Sequence, residues 1–148
     1  MFIRLRQLLR RGRGQEGAAA VEFAVVLPLL ILILAVLTDF GWLFYWQHTV
    51  TNASRAGARY AVQAHYTGNT QTYYSDADIK AVVDKYGAGL NVVVDRSAGD
   101  AAGAPRSVEV TKTMQWFFLG FLQSGVATKG MSIPLPASVH TKTWMTME

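Results

Sequence analysis

The sequence of 148 residues contains no cysteine. The chain can therefore form no disulfide, use no thiol in catalysis and offer no thiolate to a metal. Its three histidines, His48, His65 and His140, lie far apart and have no partners at the spacings typical of metal ligands. We therefore expect no metal site and no cofactor.

Catalytic motifs are also missing from the sequence. Gly12-Arg13-Gly14 follows no predicted strand, so it does not indicate a phosphate-binding loop. Ser54, Ser75 and Ser124 lack the surroundings of a nucleophile elbow. Because no nucleophile, base and orienting group stand in a recognisable pattern, we expect that the protein is not an enzyme.

Net positive charge is confined to the beginning of the chain. Residues 1–17 hold five arginines and one glutamate, a net charge of 5 − 1 = +4, whereas residues 18–148 hold nine basic and nine acidic residues, 9 − 9 = 0. The second part has no basic stripe with interleaved aromatics, so we expect no nucleic-acid partner. An arginine-rich block before a long apolar run is typical of a cytoplasmic leader under the positive-inside rule.

The apolar run covers the 20 residues from Ala18 to Leu37, in which Glu22 is the single charged residue. A helix of this length spans roughly 30 Å, the thickness of the hydrocarbon core. The aromatic-rich stretch 42–46 follows it, as expected at a membrane surface. The sequence therefore predicts a transmembrane helix over residues 18–41. The alternative, a core helix apolar on every side, would need more chain to cover it.

Three features of this run bear on its processing and shape. The small residues 17–20 precede the run instead of following it, so we expect no cleavage by a signal peptidase. Pro28 lacks an amide hydrogen and predicts a kink, which a membrane helix tolerates. Glu22 lies one turn inside the span, and two interpretations stay open: a functional carboxylate, or one that reaches the lipid headgroups.

The string Gly17-Ala18-Ala19-Ala20-Val21-Glu22-Phe23 resembles the processing site of type IV prepilins. Residues 17–30, 38–41 and 51–60 together resemble the TadE-like family of minor pilins and pseudopilins from tight-adherence (Tad) pilus systems. The resemblance covers residues 17–60 and fades beyond them. The major pilins of these systems usually have tyrosine after the glutamate and are much shorter, so Phe23 and the chain length favour a minor component.

The resemblance implies cleavage between Gly17 and Ala18 by a prepilin peptidase, with Glu22 and Phe23 important for assembly or recognition. The implied partners are that peptidase, other pilins or pseudopilins, the inner-membrane assembly platform and the lipid bilayer. The implied location is the bacterial inner membrane, with the N-terminus cytoplasmic and the C-terminal domain extracytoplasmic. After assembly the chain could enter the extracellular pilus and contribute to adhesion.

The remaining chain predicts an α+β fold. We expect a cytoplasmic leader (1–17), the transmembrane helix (18–41), a helix extension (42–66) and an extracytoplasmic domain (67–148). The domain should contain a short helix with Ser75 as N-cap and acidic residues in its first turn. It should also contain a small antiparallel sheet of about three strands, over residues 90–96, 107–114 and 138–145.

Two apolar features allow more than one interpretation. Ala53, Gly57 and Ala61 share one helix face, which fits either a contact between helices of different subunits or packing on the chain's own sheet. The stretch from Trp116 to Leu122 is too short to span a membrane and fits core, a lipid-surface contact or a subunit interface.

The sequence thus favours a minor pilin or pseudopilin that is processed after Gly17. The alternatives are an uncleaved single-pass membrane protein with an outer partner-binding domain, and a membrane-bound enzyme.

Overall fold

The computed structural model describes residues 2–99, 104–127 and 134–146; side chains are described from residue 17 onward, apart from residues 67, 126 and 127. The arginine side chains of the leader and residues 100–103 lie outside the described residues. The elements in chain order are α1 (Phe2–Val62), β1 (Ala64–Thr67), β2 (Thr70–Tyr73), α2 (Asp76–Asp84), β3 (Asn91–Asp95), β4 (Pro105–Thr113), α3 (Phe118–Ala127) and β5 (Ser138–Thr146). The expected α+β fold is confirmed.

Helix α1 has two parts with different surroundings. Its first part is long and apolar enough to cross a membrane, and no residue from Gly17 to Thr38 is buried against the other residues that the structure describes. Burial begins at Asp39 and continues along one face to Ala61. One helix therefore carries both the predicted membrane segment and one wall of the domain core.

Helix α1 ends at Val62, before the expected end at residue 66, and a β-hairpin follows it. Strands β1 and β2 pair antiparallel, with Thr67 opposite Thr70. Gly68 lies between them with a φ of 65°, which suits the first central position of a type II′ turn. Residues 64–66, which the sequence assigns to the helix extension, thus lie in the first strand of a hairpin.

Helix α2 begins at the predicted N-cap. The Ser75 Oγ accepts a hydrogen bond from the Asp78 amide at 3.3 Å, and the Ser75 amide donates to Asp78 Oδ2 at 3.1 Å. This reciprocal pair is a capping box, which satisfies two amides at the helix start. Hydrogen bonds from the Ser75 side chain and backbone hold the pKa of Asp78 below its ordinary value. Ile79 and Val83 are the buried residues of α2.

The predicted three-stranded sheet is confirmed, with β4 in the centre and β3 and β5 antiparallel on either side. Val108 and Val110 on β4 are fully buried. Helix α1 packs against β4, β5 and α2, so the core lies between the second half of α1, the sheet and α2. The core residues are Trp46, Val50, Ala53, Ala58, Ala61, Ile79, Val83, Leu90, Val108, Val110, Met114 and Val139.

The apolar stretch Trp116–Leu122 leads into a third helix that the sequence did not predict. Helix α3 starts at Phe118 and contacts α1. Trp116 packs on the core and its Nε1 donates to the Pro136 carbonyl at 3.0 Å. Phe117 and Phe121 point outward, with 62% and 72% of their surface exposed.

Candidate processing site and docking face of the long helix

The predicted processing site lies on a part of α1 that the other described residues leave exposed. Gly17, Ala18 and Glu22 are exposed, and Phe23 has 60% of its surface exposed. A Cβ added at Gly17 would meet no atom within 4 Å. The folded domain therefore covers neither Gly17 nor Ala18, although the bond between them lies within helix α1.

Glu22 lies one helical turn after Ala18. Residues four apart share a helix face, so a carboxylate at position 22 and an amine at position 18 would lie on the same face of α1, one turn apart. Within the apolar run no other side chain carries a charge. An amine created at Ala18 would attract such a carboxylate strongly in the low dielectric of a membrane.

Pro28 lies inside α1, and the helix continues through it without interruption. Proline leaves one carbonyl of the preceding turn without its amide donor, which is the reason to expect a kink. The kink itself stays a prediction.

The small residues Ala53, Gly57 and Ala61 form the face by which α1 docks on its own domain. All three are buried. A Cβ at Gly57 would lie 2.9 Å from Val83 Cγ2 and 3.1 Å from Val108 Cγ1. Gly57 thus allows α1 to approach both α2 and the sheet closely. Of the two interpretations left open by the sequence, the structure shows the second, in which these small residues pack on the chain's own domain.

Ser54 lies on the same face and joins it to the sheet through hydrogen bonds. Its fully buried Oγ lies 2.8 Å from the Val108 carbonyl oxygen and 2.8 Å from Thr143 Oγ1. Val108 is on the central strand and Thr143 is on the neighbouring strand, so one hydroxyl joins α1 to both. By contrast, Arg55 and Arg59 on the opposite side of the helix are exposed.

Asp39 joins α1 to α3 at the end of the apolar run. It has only 1% of its surface exposed. Its carboxylate accepts hydrogen bonds from three successive backbone amides, those of Phe117 (3.2 Å), Phe118 (3.0 Å) and Leu119 (2.7 Å). These are amides at the start of α3 that no intrahelical carbonyl can satisfy, so Asp39 acts as an N-cap supplied by another helix.

Arg106 caps the C-terminal end of α1. It is fully buried, and its Nη1 donates to the Ala61 carbonyl oxygen at 2.6 Å, within the last turn of α1. The guanidinium also lies over the Tyr73 ring, 4.4 Å from the ring centroid. A positive charge here satisfies a helix-terminal carbonyl and interacts favourably with the negative end of the helix dipole.

Sequence reasoning missed the roles of Asp39, Ser54 and Arg106. From the sequence, Asp39 is noted only within the family-like residues 38–41, although a single acid between an apolar run and an aromatic cluster is a recognisable signal. Ser54 is rejected as a nucleophile and otherwise belongs only to the family-like residues 51–60, and Arg106 is not singled out.

In the described ranges, no group of three or more histidine, aspartate or glutamate side chains is close enough to hold a metal ion. His65 instead stacks on Tyr74, with ring centroids 4.7 Å apart, and Tyr74 stacks on Tyr60 at 4.0 Å. These rings join the end of α1 to the hairpin.

Residues 17–59 match the family model described as TadE-like protein. The match covers the predicted processing site, the apolar run and most of the docking face of α1. The resemblance to this family is therefore confirmed over these residues. No match was found among curated proteins or among solved structures.

Proposed function

We propose that this chain is a minor pilin or pseudopilin of a Tad pilus. Its N-terminal segment is TadE-like, which suggests a protein associated with such a pilus. A prepilin peptidase would cut after Gly17, and the mature chain would assemble through α1. The observation that carries the proposal is the accessible Gly17–Phe23 segment at the head of an apolar helix that the chain's own domain leaves uncovered.

The charge distribution supports this order of events. Before cleavage, the arginines of residues 1–17 favour a cytoplasmic N-terminus and resist passage through the bilayer. After cleavage, residues 18–148 have a formal side-chain charge of zero. The mature helix could then leave the bilayer for a fibre without dragging the arginines across it.

The proposed role is structural, not catalytic. The partners would be the peptidase, neighbouring pilins or pseudopilins, the inner-membrane assembly platform and lipid. The new amine of Ala18 in one subunit would pair with Glu22 of a neighbour, which would align the two helices.

Gly17→Leu tests the cleavage step, and Gly41→Leu is its matched control. Both glycines lie in α1, and a Cβ at either meets no atom within 4 Å. When each variant is expressed with an active prepilin peptidase, we expect intact-protein mass spectrometry to show the full-length chain for Gly17→Leu. Gly41→Leu should be shortened like the native protein. Equal shortening of both variants would contradict cleavage after Gly17.

A further inference from the structure

Helix α3 has no N-cap residue of its own. The residues before it are Gln115-Trp116-Phe117, none of which is a favoured N-cap type. The Asp39 carboxylate supplies the cap from α1. Asp39 follows Leu37, the last residue of the apolar run, by two positions, which is about 3 Å along the helix axis. The start of α3 is therefore fixed at the level where α1 leaves the hydrocarbon.

Helix α3 carries no charged residue, and its exposed described residues are Phe121, Ser124 and Gly125. No charged residue occurs between Lys112 and Lys129 in the sequence. Among the described residues of this region, Phe117 and Phe121 are the large hydrophobic side chains that are exposed. A helix end that exposes two phenylalanines in water would lose the hydrophobic stabilisation of both side chains.

The aromatic rings beside α3 are continuous with those that follow the apolar run of α1. Phe117 packs edge-on against Trp42 with ring centroids 6.0 Å apart, and Trp42 stacks on Tyr45 at 5.7 Å. Tyr45 has 54% of its surface exposed. Tryptophan and tyrosine favour the membrane–water interface, where one side of the ring is apolar and the other is wet.

From these observations we propose that α3 is an interfacial helix that lies on the lipid surface beside the span, held there by Asp39. The exposed side chains of α3 would contact the boundary between the headgroups and the acyl chains of the bilayer that contains α1. Exposed apolar side chains continue from the span through Phe40 to Trp42, and Trp42 contacts the exposed Phe117. One medium, the lipid, can therefore cover the span and the start of α3. The proposal depends on insertion of α1 in a membrane, but not on cleavage or assembly.

The absence of cysteine makes a direct test possible, because one introduced cysteine is the single labelling site. We suggest three variants of the full-length chain: Phe121→Cys in α3, Leu29→Cys in the span and Val93→Cys in β3. The native side chains at positions 29 and 93 are 60% and 56% exposed, so all three labels are accessible. Each variant carries an environment-sensitive fluorophore and is reconstituted in phosphatidylcholine–phosphatidylglycerol vesicles at about one copy per vesicle.

Quenching by brominated lipids and by aqueous iodide then locates each label. We expect the label at position 121 to be quenched at least threefold more than that at 93 by lipids brominated near the headgroup. The label at 29 should respond most to deep bromines. Iodide quenching at 121 equal to that at 93 would overturn the proposal, as would protection from both quenchers, which would indicate a second copy of the chain. A label at 29 that lipid does not quench would show that α1 is not inserted, and the premise would fail.

The part played by Asp39 is tested in the same vesicles. Asp39→Ala removes all three hydrogen bonds to the start of α3, whereas Asp39→Asn keeps one oxygen acceptor. We expect Asp39→Ala to lower lipid quenching at position 121 at least twofold and to leave position 29 unchanged, with Asp39→Asn intermediate. Unchanged quenching at 121 in Asp39→Ala would show that Asp39 does not hold α3 on the lipid.

Discussion

At the scale of single residues, glycines in α1 that look equivalent in the sequence have different surroundings. Gly57 is buried between Val83 and Val108, whereas a Cβ at Gly41 would meet no atom within 4 Å. The first position requires the absence of a side chain, because α1 approaches α2 and the sheet there. The second position has no such requirement.

Alanine at these two glycines should therefore have opposite effects on stability. Gly57→Ala should lower the free energy of unfolding by about 1–3 kcal/mol, because its Cβ would overlap the fully buried Val83 and Val108. Gly41→Ala should raise it by up to about 1 kcal/mol through helix propensity. Urea titration of the detergent-solubilised chain, followed by tryptophan fluorescence, measures both. Equal stability of the two variants would contradict the docking geometry of α1.

The polar residues that join the elements show why this docking could not be predicted from the sequence. The small residues of α1 were recognised from their four-residue spacing, but the same spacing fits an intermolecular contact. Asp39, Ser54 and Arg106 bond to backbone groups 45 to 80 residues away in the chain. Local patterns contain no information about partners at such separations, so these roles emerge only from the fold.

At the scale of elements, two buried charges cap helices. Asp39 satisfies amides at the start of α3, and Arg106 satisfies a carbonyl at the end of α1. A buried charge is costly unless it is paired or hydrogen-bonded, and both are placed where the helix dipole favours their sign.

Arg106→Met should therefore destabilise the domain. Methionine fills similar space but leaves the Ala61 carbonyl without the donor that Arg106 provides, which should cost about 2 kcal/mol in the free energy of unfolding. Arg55→Met, on the exposed side of α1, is the control and should change stability by less than about 0.5 kcal/mol. Thermal and urea unfolding of the two variants provide the comparison. Native stability of Arg106→Met would show that the cap contributes little.

The elements themselves were predictable to different degrees. Helix α2 and strands β3, β4 and β5 follow from local signals, namely the Ser75 cap and runs of β-branched or alternating residues. The hairpin was missed because its strands have only four residues each, and the long helical pattern before it suggested continuation. Gly68-Asn69 between two threonine- and tyrosine-containing runs is the signal that could have revealed it. Helix α3 was missed because its N-cap comes from Asp39, far away in the sequence.

At the scale of the whole molecule, α1 divides the chain into an uncovered apolar helix and a compact domain built on the same helix. The domain buries one face of α1 from Asp39 onward, and no residue of the preceding span is buried by the described part of the chain. In the proposed pilus, lipid covers that span before assembly and neighbouring helices cover it afterwards. Glu22 would then be the one charge that must find a partner when lipid is replaced by protein.

Glu22→Gln should separate assembly from processing. The change removes the charge but keeps the shape, so we expect cleavage after Gly17 to continue while the chain recovered in complexes with other pilus subunits falls at least tenfold. Asp84→Asn, an exposed carboxylate on α2, is the control and should assemble normally. Co-purification of tagged chain from solubilised membranes measures the effect. Normal recovery of Glu22→Gln would contradict the proposed pairing with Ala18.

The measurement that tests the central claim most directly is the N-terminal sequence and mass of the native chain, recovered from membranes with and without an active prepilin peptidase. Processing after Gly17 predicts a chain that begins at Ala18 and has lost the five arginines of the leader, but only when the peptidase is present. A chain that keeps Arg4 to Arg13 beside an active peptidase would contradict the pilin assignment. It would identify the protein as a permanent single-pass anchor with an outer binding domain.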